Sequence, residues 1–138
     1  MLIASLVAAA VVALVLLARR HALGPSPERV DALVLAELQA AWARSPGDVP
    51  LAAKLAQQCL RCNDLEGAQK HFRGLLLQPL EKSPLSKAEI FYFLAEVSGK
   101  KGERAPALRL LQRALEADPA LEPAQRLQAD LSPRPREP

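Results

Sequence analysis

Aromatic side chains are scarce in this sequence, which has one Trp, one Tyr and three Phe. Runs of β-branched residues are also missing outside the extreme N-terminus. Little is left to build a sheet from, and a chain dominated by Ala and Leu favours helices. Charge of one sign is not in excess. Lys and Arg number 18 against 15 Asp and Glu, a formal net charge of +3. The cations are scattered, which excludes the basic face of a nucleic-acid binder. There is no Gly-rich phosphate loop, no carboxylate pair and no metal-spaced acid cluster. The reading is therefore of a protein that is not an enzyme, with no cofactor, no metal and no small-molecule substrate.

Two cysteines supply the one motif with reactive potential, Cys59-Leu60-Arg61-Cys62. A redox pair of this spacing belongs at a strand-to-helix junction, whereas both residues fall toward the end of a predicted helix. A zinc site would need two more ligands; His71 is remote and His21 lies too far away. Packing of Cys59 as a small apolar residue, a redox or disulfide role, and metal binding are the three readings, with packing first. His71 has no nucleophile pattern beside it and reads as a solvated or satisfied side chain. Gly67 and Gly74 on one helix suggest close helix contact.

The long apolar run is N-terminal. Leu2 to Ala18 holds ten Leu, Ile or Val residues and no charge. As a helix it would reach about 26 Å, slightly under a hydrocarbon core of roughly 30 Å. The expectation is a transmembrane anchor over 1–20, contacting the membrane through residues 2–18; a cleaved signal peptide and a buried helix are the alternatives. Arg19 and Arg20 follow the run, so the positive-inside rule places the rest of the chain in the cytoplasm, with a periplasmic placement as the alternative. Gly24-Pro25-Ser26-Pro27 then breaks any helix, giving a linker over 21–27.

The densest pattern runs from Ser86 to Pro119. Ile90, Phe91, Leu94 and Val97 recur at helical spacing, then Ala107, Leu108, Leu111, Ala114 and Leu115. Gly102 sits in the turn between them and Asp118-Pro119 ends the second helix. Phe91, Leu94, Ala95, Gly102, Ala107, Leu111, Ala114 and Pro119 together resemble a tetratricopeptide (TPR) repeat, a helix pair of about 34 residues. Ala95 and Ser98 depart mildly from the usual Gly and Tyr. A weaker copy follows Asp48, with Ala52, Leu55, Ala56 and Cys59, then Asn63 as the turn residue, then Ala68, Phe72 and Leu75. Extra residues between the copies fall in Gln78 to Pro84, read as an extended loop. Ser86 and Glu89 form a possible capping box.

The resemblance implies an all-α chain: the anchor, then a short TPR-like superhelix of about six helices over 28–131. Its parts are an N-terminal helix over 28–44, repeat 1 over 49–79, repeat 2 over 86–119 and a capping helix over 121–131, with a disordered tail over 132–138. It also implies an inner groove that binds a partner segment. Carried over by position, its lining would be Ala53, Gln57, Leu60 and Arg61, then Glu89, Tyr92, Glu96 and Lys100. Tyr92 is the expected anchor, or else it packs against the loop at 79–84. The residues that clamp a terminal carboxylate in one subclass are missing. The expected function is a membrane-anchored adaptor or scaffold for a protein partner. An accessory subunit or assembly factor of a larger membrane complex, and an exported chaperone or redox module, are the alternatives.

Overall fold

Side-chain caps set four of the helix starts, those of the helices that begin after Ser26, Asp48, Asp64 and Ser86. In the computed structural model, which describes residues 9–17, 24 and 26–133, all regular structure is helical. The described part of the first helix, α1, covers 9–17. Helix α2 spans Pro27–Arg44; Ser26 Oγ accepts from the Arg29 N–H and Pro27 fills the first position. Helix α3, Val49–Arg61, starts on Asp48, whose carboxylate accepts from the Leu51 N–H at 3.1 Å. Helix α4, Leu65–Leu76, starts on Asp64, which accepts from the Gly67 N–H at 3.1 Å. Helix α5, Lys87–Lys100, begins with a complete capping box. There Ser86 Oγ accepts from the Glu89 N–H at 3.2 Å, and the Glu89 carboxylate accepts from the Ser86 N–H at 2.7 Å. Helices α6, Arg104–Ala117, and α7, Glu122–Leu131, follow. The segment expected as an extended loop holds a single 3-10 turn at Leu80–Lys82.

Two expectations need correction. Among the described residues, no helix is long and apolar enough to cross a membrane. The described part of α1, residues 9–17, accounts for about 14 Å at 1.5 Å per residue, roughly half a hydrocarbon core. The single-pass anchor over 1–20 and the membrane location drawn from it, cytoplasmic or periplasmic, are withdrawn with that finding. Residues 1–8 and 18–20 of the expected span lie outside the described residues, as do 134–138 of the expected tail.

From α2 to α7, neighbouring helices pack in sequence order, with the broadest contacts in the hairpins α3–α4 and α5–α6. Ala53, Ala56, Ala68, Ala95, Ala107 and Ala114 are fully buried, so the helix backbones approach closely. The core falls into two clusters. The first gathers Leu55 and Cys59 of α3, Phe72 and Leu75 of α4, and Ile90, Leu94 and Val97 of α5. The second gathers Phe91 and Ala95 of α5, Leu111 and Ala114 of α6, and Ala124 of α7. Helix α5 feeds both clusters, which is why it is apolar around most of its circumference.

Helix α2 is different. None of its residues is buried, and Leu35, Leu38 and Trp42 only lean on the first cluster. A polar clasp adds to that contact. Gln58 Nε2 donates to the Asp31 carbonyl at 2.9 Å and to its carboxylate at 3.3 Å. The Cys62 thiol donates to the same carbonyl at 3.4 Å, and the Arg61 guanidinium lies 3.2 Å from the Asp31 carboxylate.

Candidate functional site

Helices α3 and α5 leave a recess of about 310 Å³ between them. Gln57, Leu60 and Arg61 line one side, at positions one helical turn apart. Phe93, Glu96 and Lys100 line the other, again on one helix face. A second recess of about 360 Å³, lined by Val34, Lys54, Gln57, Gln58 and Arg61, shares Gln57 and Arg61 with the first. The two adjoin at Gln57 and Arg61 of α3, and the first, between α3 and α5, is the candidate groove.

The groove has an apolar floor and a charged rim. Phe93 is fixed because its ring stacks on the buried Phe72, centroids 5.2 Å apart and planes 7° apart. Leu60 is itself a core residue, 6% exposed. The rim charges are loosely paired: Glu96 and Lys100 lie 4.0 Å apart, and Arg61 is 67% exposed while it holds Asp31. Pairs this exposed stabilise the fold by little, at most about 1 kcal/mol, so both ends stay available to a partner.

Five of the eight residues expected in the groove meet there: Gln57, Leu60, Arg61, Glu96 and Lys100. Glu89 does not, because its carboxylate is engaged in the cap of α5. Tyr92 does not line the recess either. It packs with the second apolar cluster, its ring 5.2 Å from Phe93. Burial, then the Glu96 charge and hydrogen bond, raise the Tyr92 pKa, against a smaller pull from Arg126. Ala53, fully buried, has no surface to offer. Sequence reasoning missed Phe93, Lys54, Gln58 and Val34. The signal for Phe93 was present, since 93, 96 and 100 share a helix face, as do 57 and 61.

The thiols take separate roles. Cys59 is 1% exposed and both cysteines are free. Burial first, then the charge and hydrogen bond of Asp64 and the charge of Cys62, push the Cys59 thiol up to about 11. It is therefore protonated and unreactive at neutral pH. His71 stands edge-on to Trp42, centroids 5.3 Å apart. Its pKa lies below the ordinary 6.5, lowered first by burial and then by Lys70. Among the described residues, no group of three or more His, Cys, Asp or Glu is placed to hold a metal ion.

No family model and no curated protein matches the chain.

Proposed function

We propose that this chain is a protein–protein interaction module that takes a partner peptide segment in the groove between α3 and α5. The observation that carries this reading is the convergence of Gln57, Leu60 and Arg61 with Phe93, Glu96 and Lys100 around one recess. A fixed aromatic floor with weakly paired charges at its edge suits a segment that inserts one apolar side chain and flanks it with polar residues of both signs. The resemblance to TPR repeats supports the same reading, since that family binds segments along the corresponding helices. The redox alternative draws no support from Cys59, which is 1% exposed and packed in the first core cluster.

Peptide selection against the displayed full chain tests the proposal. Selected peptides should shift the NMR signals of Leu60 and Phe93. Gln57→Trp, which fills the recess, should weaken binding at least tenfold, while Gln112→Trp on α6 should leave it unchanged. Failure to select any peptide, or shifts confined to α6 and α7, would overturn it.

A further inference from the structure

A recess of about 490 Å³ lies between α4 and α6, and Arg73 of α4 lines it together with Arg109 and Arg113 of α6. A second recess, of about 430 Å³, adjoins it at Arg113 and Glu116 and adds Lys87 and Phe91 of α5. Neither shares a residue with the groove between α3 and α5. Cations that are scattered along the sequence therefore meet in one place once the chain has folded.

The three arginines have no acid to hold. Elsewhere Arg61 holds Asp31, Lys101 holds Glu66 and Arg126 holds Glu122. Among the described residues, Arg73, Arg109 and Arg113 make no ion pair. Arg109 and Arg113 stand one turn apart on α6, a spacing at which like charges repel. Glu116, three residues after Arg113, is within reach of it in sequence. Its carboxylate instead accepts from Gln112 Nε2 at 3.3 Å. The Arg113 guanidinium lies over the ring of the core residue Phe91, 5.9 Å from its centre. A guanidinium laid on a ring is positioned by it while the N–H donors at its edge stay free.

Such forks match the paired oxygens of a carboxylate or a phosphate. The other residues of the wall decide between them. Glu103 and Glu116 stand among the cations, and Gln69 and Gln112 add neutral polar groups. A nucleic-acid strand carries a phosphate on every unit and would set charge against both glutamates. A peptide can place carboxylates at the arginines and a neutral or basic residue at each glutamate. Two adjoining recesses of this size also exceed what one inorganic anion fills.

We infer that the α4–α6 face is a second binding site, which takes an acidic segment of a partner protein and pairs its carboxylates with Arg73, Arg109 and Arg113.

Fluorescence anisotropy of the full chain against a labelled glutamate-rich peptide in a Gly-Ser frame, at low salt, tests this. The chain should bind that peptide, and the same peptide with Gln for every Glu should bind about tenfold more weakly. Arg109→Gln combined with Arg113→Gln should keep the melting temperature and also weaken binding about tenfold. Arg29→Gln combined with Arg44→Gln, which takes the same charge from α2, should leave binding unchanged, as should Gln57→Trp in the groove. Equal binding of the Gln peptide, or an equal loss from the α2 pair, would overturn the inference. So would displacement of the peptide by inorganic phosphate or a single-stranded oligonucleotide as efficient as by unlabelled peptide. A loss in Gln57→Trp with none in the Arg109 and Arg113 variant would also overturn it, and would leave the groove standing as the one peptide site.

Discussion

The hairpins α3–α4 and α5–α6 close with the same turn made from different residues. In the first, Asn63 takes a left-handed backbone at φ 59°, the Asp64 N–H bonds the Cys59 carbonyl at 2.8 Å, and the Asn63 N–H bonds the Leu60 carbonyl at 3.1 Å. In the second, Gly102 sits at φ 78°, the Glu103 N–H bonds the Ser98 carbonyl at 2.9 Å, and the Gly102 N–H bonds the Gly99 carbonyl at 3.0 Å. Both are Schellman closures. The difference lies in how each hairpin reaches it. The first accepts a Cβ in a region that disfavours one, then starts α4 on a good cap, Asp64. The second uses the freest residue, then starts α6 on Glu103, whose side chain caps nothing. Backbone closure fixes the turn, and the side chains distribute the stability around it.

The largest effect is expected in the cores that the two hairpins feed. Phe72 and Leu111 occupy corresponding positions, and both are fully buried. Phe72→Ala should cost roughly 3–5 kcal/mol in urea unfolding and Leu111→Ala roughly 2–5. A smaller loss for Phe72 would break the correspondence.

The turns come next. Gly102→Ala should cost about 1–2 kcal/mol, because a Cβ enters the left-handed region. Asn63→Gly should change stability by no more than about 0.5 kcal/mol, as relieved strain offsets a freer unfolded chain. Equal effects would show that the two turns are not alike.

The caps should differ in the opposite sense. Asp64→Ala should cost about 1 kcal/mol and Glu103→Ala almost nothing, read as shifts in the urea midpoint. A marked loss at Glu103 would mean that α6 has a cap the geometry does not show.

The smallest effect is pH dependence confined to the first hairpin. His71 titrates below its ordinary 6.5 in the folded chain, so the unfolded chain binds a proton first as pH falls. The stability this site contributes is present above about pH 6.5 and is lost as pH falls through 6.5 toward the folded value. The melting temperature should therefore drop between pH 7.5 and 5, and His71→Gln should flatten part of that drop.

Much of the fold was legible because its signals are local. Ser26, Asp48, Ser86 with Glu89, Asn63 and Gly102 each mark an end or a turn through contacts within a few residues. The groove was legible only in part. Phe91, Tyr92 and Phe93 are consecutive and point about 100° apart, so which ring faces α3 depends on the rotation of α5 against its neighbours. Position alone favoured Tyr92, and packing on Phe72 chose Phe93. Glu89 fitted two roles in the sequence, groove and cap, and the nearer partner took it. A recess lined by Trp42, His71, Gly74 and Gln78 was invisible for a similar reason, because residues that far apart in the chain build it. The N-terminal run carried a clear composition signal, yet among the described residues no helix is long and apolar enough for the span that composition suggested.

The clasp on Asp31 has a consequence for how the chain comes apart. Helix α2 rests on four side-chain contacts to a single residue and on apolar groups that remain partly wet. Its amides should exchange with deuterium ahead of those in α3 to α6, so α2 peels away as a unit while the rest stays intact. Each peeling event would free the half-buried Cys62 sulfur from the Asp31 carbonyl, and the rise in its capture by a thiol reagent would follow the opening of one end of the stack.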